Sequence, residues 1–289
     1  MRKFNKINLF VSLTILLSIM MSFSSVISYA TPISTVTLTI DSPTANQLPK
    51  YFRKSTDQIT PSENINLSGL DKLNISGSGQ FSKTGIPLMK SSIGNYPITV
   101  IDLREESHGF IDGIPVSWRN ANNDANKGLT VNEIIADENS RLNSIPLNKP
   151  ISLEGFKDVV IPSKIQNESD QTKAYSLSYI RIPVTDKSIP TDAMVNYFID
   201  VVKNQPENSW FHFHGQEGLE RTTTFMIMYD IMKNCKEVNL NDIITRQILL
   251  SKMDKKTSDK FYSGDIFNFL NNFYNKCKSN ESSSNKQIS

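Results

Sequence analysis

The residues whose types and spacing point most directly to chemistry lie in one stretch, Trp210-Phe-His-Phe-His-Gly-Gln-Glu-Gly-Leu-Glu-Arg-Thr222. Trp210, His212 and His214 alternate with Phe211 and Phe213, which is the period of a strand. From Thr222 to Met232 the chain is a continuous helix-capable run. A glycine-bearing loop therefore joins a strand end to a helix start. Its backbone N–H groups converge on one spot with the helix dipole behind them, a setting that suits an anion such as phosphate. Arg221, at the loop's exit, carries a planar fork able to grip two phosphate oxygens.

This stretch resembles the phosphate-binding loop of the cysteine-dependent phosphatases, His-Cys-x5-Arg-Thr. Within that superfamily it looks most like the bacterial protein-tyrosine-phosphatase-like (PTP-like) phytases, which remove phosphate from inositol phosphates. His214, Gly218, Arg221 and Thr222 match the pattern. Gly215 stands where the nucleophilic cysteine is expected, and Glu220 where a second glycine is usual. The resemblance implies a cradle for phosphate made by His214, Gly215, Gln216, Glu217, Gly218, Leu219, Glu220 and Arg221. Arg221 and Thr222 are also its candidate catalytic residues, and Gly215 marks the position of the lost nucleophile.

A second run carries the same resemblance. The apolar strand Ile98-Thr-Val-Ile-Asp-Leu103 leads into Arg104-Glu-Glu-Ser-His-Gly109, then Gly113 and Val116-Ser-Trp118. Arg104, Glu106 and His108 fall just past a strand's C-terminal end, where α/β folds place their sites. Arg104 and His108 are therefore candidates for the substrate pocket. An internal Arg104–Glu106 ion pair, with His108 satisfied inside the loop, stays open as the alternative. Phe52-Arg53 adds Arg53 to the pocket by the same resemblance, against a plain solvated arginine. Ser76-Gly-Ser-Gly-Gln-Phe81 also resembles the family, and its glycines read as a turn with close backbone approach.

A phosphate monoester needs an acid to protonate the leaving oxygen as the P–O bond breaks. In the family that acid is an Asp lying 29 residues before the cysteine, and Asp186 lies 29 residues before Gly215. Lys187, beside it, is a further pocket candidate.

Glycine has no side chain, so the family's route, thiolate attack on phosphorus, is closed at residue 215. The direction of Glu217 and Glu220 then decides whether the cradle still binds. A carboxylate about 6 Å from a phosphate is unfavourable by roughly 3 kcal/mol at an effective dielectric near 20. Three functions follow. The chain is a pseudophosphatase that binds phosphorylated ligands such as inositol phosphates or a phosphoprotein. It is a phosphatase using another nucleophile, such as water activated by Glu217 or Glu220. Or it is an interaction protein with an empty loop. The missing thiol leans against an enzyme.

The elements that must position these residues fit an α/β fold of the PTP-like kind. It has a mixed sheet flanked by helices and a small β-rich subdomain, part of which is expected in about residues 140–170. Thr130-Val-Asn-Glu133 is a capping box opening a helix to about Leu142. Helical runs also fall near Ser169–Tyr175, over Met194, Tyr197, Phe198 and Val201 as core positions, from Asn241, and over Ile266, Phe269, Leu270 and Phe273. Strands are expected over 33–40 and Leu177–Pro183. The helix after the loop is apolar nearly all round and belongs at the centre of the domain.

Residues 1–30 read as a secretory leader: Arg2, Lys3 and Lys6, an apolar run from Ile7 to Met21, then Ser28-Tyr-Ala30. That run is short against the about 20 residues of a membrane span, so no stable anchor is expected after cleavage, and the mature protein is expected outside the cell. The phosphatase-like domain then spans 31–277, and the Ser/Asn/Lys-rich tail 278–289 is expected to be disordered. The 289-residue chain carries a net charge of +2, and losing three leader cations leaves it at −1, which argues against nucleic acid as a partner. His108, His212 and His214 make no metal-ligand spacing, and neither metal nor cofactor is expected. Cys235 and Cys277, the two cysteines, form either a disulfide or two separate thiols.

Overall fold

The computed structural model describes residues 36–42, 46–61 and 64–286. The expected leader, residues 1–30, lies outside them. Among the described residues no helix is long and apolar enough to cross a membrane.

The main sheet has five strands in the order β2-β3-β9-β4-β8. β3 (Ile75–Ser78), β9 (Trp210–His214), β4 (Ile98–Arg104) and β8 (Ser178–Val184) run parallel, and β2 (Arg53–Lys54) closes one edge antiparallel. Alternation in β9 sorts its side chains between the two faces. Phe211 and Phe213 enter one core, with Ile101, Leu103, Phe225 and Ile231. Trp210 enters the opposite core, with Phe81, Ile98, Val100 and Phe110. His212 and His214 share Trp210's parity, so the strand period puts both imidazoles on one face, where they stack at 6.4 Å.

The loop-bearing helix, formed by Glu220–Asn234, is buried from Arg221 to Ile231, which places it centrally as its all-round apolarity requires. In chain order the helices are α1 (Gly85–Ile93), α2 (Val131–Ser144), α3 (Glu168–Lys173), α4 (Asp192–Lys203), α5 (Glu220–Asn234), α6 (Leu240–Ser251), α7 (Lys255–Asp259) and α8 (Gly264–Lys286). The capping box of α2 forms as read: Thr130 accepts from the Glu133 N–H and Glu133 reaches back to the Thr130 N–H. In α4, Phe198 is buried but Tyr197 is exposed, because the stripe facing the core runs through half-buried Val195 and buried Phe198 and Val202 instead.

Two expectations are corrected, and the small β-rich unit gains its other strands. The small β-rich unit is a four-stranded antiparallel sheet, order β1-β6-β5-β7, and residues 140–170 contribute β7 and the bridges Ile151–Val160 and Thr39–Glu154 to it. Its strands are β1 (Thr37–Ile40), β5 (His108–Ile111), β6 (Ile114–Arg119) and β7 (Ile165–Gln166). The missed cue is Asp112-Gly113: both residues take positive φ, 53° and 87°, as a two-residue hairpin turn between twisted strands needs. Ser76-Gly77-Ser78 is a strand rather than a turn, although the close backbone approach read from its glycines is present. Finally, α8 continues to Lys286, through the start of the segment expected to be disordered. Its anchor is the stripe of Leu270, Phe273 and Tyr274 in the core, and propagation beyond an anchored turn adds one hydrogen bond per residue with no new nucleation cost.

Candidate functional site

β4, β8 and β9 end on the same edge of the sheet, and the segment 215–219 crosses that edge from β9 into α5. Among the described hydrogen bonds outside helices and strands, no N–H of residues 216 to 222 is a donor. The loop is held by its carbonyls instead, which leaves its donors free. Gln216 O accepts from the Gln80 N–H at 3.0 Å, and Gly218 O accepts from Arg53 at 2.8 Å. Gly218 has φ +79°, and a Cβ there would lie 2.1 Å from the Gly79 nitrogen. A Cβ on Gly79 would in turn meet the carbonyl oxygens of Gln216 and Glu217 at 3.0 Å. Only glycine lets the two backbones approach this closely. Gly218→Ala is therefore expected to leave the helical content unchanged by circular dichroism while abolishing binding of inorganic phosphate or inositol phosphate in calorimetry. Unchanged binding would show that the loop tolerates another shape.

Glu217 and Glu220 both turn away from the nest. Glu217 is exposed and pairs with Lys50 at 3.2 Å. Glu220 pairs with Lys260, and its backbone carbonyl accepts from Thr224 Oγ1 at 2.8 Å. Among the described ion pairs, neither carboxylate joins Arg221.

Arg221 is buried, and its fork is set by Glu106. Nη1 reaches Oε2 at 2.9 Å and Nη2 reaches Oε1 at 3.0 Å, a bidentate pair. Nη1 also donates to Val184 O at 2.9 Å. Asp186, which the sequence placed at the general-acid position, stands with Oδ1 3.4 Å from Arg221 Nη2, so the fold does bring it to the loop. Lys187, next to it, is exposed with φ +57° and joins none of the described ion pairs. Thr222 Oγ1 is buried without a partner and lies 3.5 Å from where a Cβ of residue 215 would be.

The remaining pocket candidates serve as supports. Arg53 donates to Tyr51 O, Gly218 O and Thr223 Oγ1. Arg104 reaches Glu106 at 2.9 Å, Asp41 at 2.8 Å and Gln80 at 2.6 Å. Thus the Arg104–Glu106 pair exists, and it is one link in a chain running from Arg221 through Glu106 and Arg104 to Asp41. Asp41 also accepts from Gln216 Nε2 and Ser117 Oγ, tying the small sheet to the loop. The β4 bulge between Asp102 and Arg104 aims these side chains, and the Arg104 N–H donates to Asp102 Oδ1.

Beneath lies a buried polar cluster that the sequence did not disclose. His108 Nε2 stands 3.2 Å from both Asp102 and Glu168, and its Nδ1 contacts Glu106 O at 2.8 Å. His214 Nε2 is 2.6 Å from Glu168 Oε1. Arg181 donates to Glu138 at 2.6 Å, to Glu106 O and to Arg104 O. Asp102, Glu168 and His214 put ligand-type atoms within 4.8 Å of one another, a spacing a cation would accept. The carboxylates are already matched by Arg181, His108 and the Tyr179 hydroxyl, so the cluster is an ion network. His212, between Ser76 and Ser78, is pushed down to about 3 by burial and stays neutral.

Burial and Arg104 oppose charging of His108, but Asp102 and Glu138 outweigh them and raise it to about 10. The folded state therefore holds a proton that an unfolded histidine, near 6.5, releases. The stabilisation is complete below about 6.5 and is lost as pH rises toward about 10. Tm is expected to fall between pH 6.5 and 9, and His108→Gln should flatten that slope; an equal slope in both chains would remove His108 from the account.

A cavity of about 1050 Å³ lies between α4, α5 and α8, away from the loop. A smaller one of about 380 Å³ borders the loop at Asp41, Lys50, Gln80, Gln216 and Glu217. Donor geometry, not cavity size, identifies the site.

Comparisons with known proteins agree with this geometry. The family model of the PTP-like phytases, described by the words inositol hexakisphosphate, matches residues 152–233. An effector protein, HopD2, of Pseudomonas syringae pv. tomato is 27% identical over 214 residues, covering 70% of this chain and 46% of the relative. The tandemly repeated PTP-like phytase of Mitsuokella multacida superposes with a TM-score of 0.77 at 29% identity, over 86% of this chain and 46% of that one. The PTP-like myo-inositol phosphatase of the same organism, solved with myo-inositol-(1,3,4,5)-tetrakisphosphate, gives 0.74 at 31% identity, over 85% and 47%. The chain thus spans about half the length of these relatives. A PTP-like phytase of Bdellovibrio bacteriovorus gives a TM-score of 0.70 at 30% identity, over 84% of this chain and 89% of that one. With such a relative matched over nearly its whole length, and with a strand–loop–helix nest closed by Arg221, this chain belongs to the PTP-like phytase family.

Proposed function

We propose that this protein is a pseudophosphatase: it binds a phosphorylated ligand, such as an inositol phosphate, in the 215–222 loop and does not turn it over. The observation that carries the reading is the pairing of an open donor nest with glycine at its base. Among the described hydrogen bonds outside helices and strands no N–H of 216–222 is a donor, Arg221 is oriented by Glu106, and no side chain stands at 215 to form a phosphoryl–enzyme bond. Asp186 then has no leaving group to protonate. The ligand class is suggested by the Mitsuokella relative's tetrakisphosphate complex. The expected leader adds that the protein works outside the cell. Water activated by Glu217 or Glu220 gains no support, since both carboxylates are paired with lysines on the outer side of the loop.

The test pairs two assays on purified protein. Calorimetry with inositol hexakisphosphate is expected to show binding that disappears in Arg221→Ala. Phosphate release from the same compound is expected to match a buffer blank. Turnover well above the blank, lost in Arg221→Ala, would overturn the inactive reading. Neither heat nor a thermal shift would favour an interaction protein with an empty loop.

A further inference from the structure

The two cysteines lie outside the phosphate site, and their placement has its own chemistry. Cys235 caps the C-terminal end of α5 and is buried; Cys277 sits on α8 and is half-buried. They are 42 residues apart in sequence, yet their sulfurs stand 2.9 Å apart. The same junction is held by Tyr274, whose hydroxyl donates to the carbonyls of Cys235 and Val238 at 3.2 and 3.1 Å. A disulfide needs about 2.05 Å between sulfurs, so closing the bond requires an approach of less than about 1 Å.

We propose that Cys235 and Cys277 form a disulfide in the working protein, fastening the end of the loop-bearing helix to the terminal helix. The inference does not rest on the phosphate-binding reading. It accords with a life outside the cell, where disulfides persist.

The structure also sets the order of events. Burial, and then the neighbouring Cys277, push the Cys235 thiol up to about 12, so it is not the first thiolate. Cys277 lines the 1050 Å³ cavity and can be reached from it. Its thiolate attacks one sulfur of a carrier disulfide, of the thiol–disulfide oxidoreductase or small-molecule disulfide class, and one carrier thiolate leaves. Cys235 then gives up its proton, attacks the Cys277 sulfur and displaces the carrier from the mixed disulfide. The chain loses two electrons and two protons, and the carrier disulfide becomes two thiols.

The test uses the full chain and oxidised glutathione as the probe. After incubation, the unreduced protein is unfolded, alkylated and mapped by mass spectrometry. The expected result is a linked Cys235–Cys277 peptide pair, with both residues alkylated only after reduction. Closing a loop of this length is expected to raise Tm by roughly 8–16 °C over the reduced form. Cys277→Ser, at the half-buried position, should remove both the link and the response to reductant. Two alkylated thiols, or a lasting glutathione adduct on Cys277, would overturn the proposal, as would a linked form no more stable than the reduced one.

Discussion

Gly215→Cys is expected to convert this protein into a working phosphatase. A Cβ at 215 would meet Thr222 Oγ1 at 3.5 Å, Arg221 Nε at 3.7 Å and Arg221 Cβ at 4.0 Å, all ordinary contacts, and the backbone there is not in the left-handed region. A Cβ at 215 therefore fits in ordinary contact. The new thiol would sit just before the N-terminus of α5, where thiol pKa values fall and the thiolate becomes the nucleophile. Thr222 Oγ1, buried and unpartnered, would gain the sulfur as an acceptor. Asp186, 3.4 Å from Arg221, would regain a leaving group. Restoring a covalent nucleophile to an otherwise assembled site changes rates by on the order of 10³–10⁶. Phosphate release from inositol hexakisphosphate by the variant should exceed that of the natural chain by at least the lower figure. The gain should vanish in Gly215→Cys combined with Asp186→Asn or Arg221→Ala. Equal release from the variant and the natural chain would mean that more than the sulfur has been lost.

The second large effect is expected at Glu106. This carboxylate is the shared partner of two buried guanidinium groups, Arg104 and Arg221. Burial alone would raise its pKa, but the two arginines outweigh burial and hold it well below the usual carboxylate range. Glu106→Ala leaves both cations inside without it, a loss of about 3–5 kcal/mol for breaking a buried pair. For a chain of this size that is roughly 6–20 °C in Tm. Glu106→Gln keeps an acceptor for one guanidinium and should lose less. The linkage has a definite sign. A depressed carboxylate stabilises the fold above the unfolded value, near 4.5, and that contribution fades as pH falls below it. The gap in Tm between the natural chain and Glu106→Ala should therefore be widest near neutral pH and close in acid. A gap under about 2 °C at pH 7 would mean that the fork is held by Val184 O and Asp186 alone.

Much of the site was legible in order along the chain. Strand period at 210–214, glycine at 218 and the apolar helix after it are local patterns, and local patterns survive into the fold because each matches the backbone it must adopt. The same holds for the capping box at Thr130. The hairpin at 108–119 was missed although its Asp-Gly turn was present, because the polar residues around it were read as site chemistry and not as strands. Glu138, Glu168, Arg181 and Asp41 could not have been chosen from the sequence. Each looks like an ordinary charged residue on an element of its own, and what marks them is burial against partners 43 to 77 residues away or farther.

The sequence by itself determined the strand period of 210–214, the glycines at 215 and 218 and the place of Arg221 at the loop's exit, since these depend on residue type and on spacing within a few turns of chain. Only the tertiary structure decided how the charges around the loop pair. Lys50 and Lys260 draw Glu217 and Glu220 outward, and Glu106 turns Arg221 into position. Those choices are Coulombic, and Coulombic choices depend on which distant charges the fold brings within a few ångströms, out of water, where they count most.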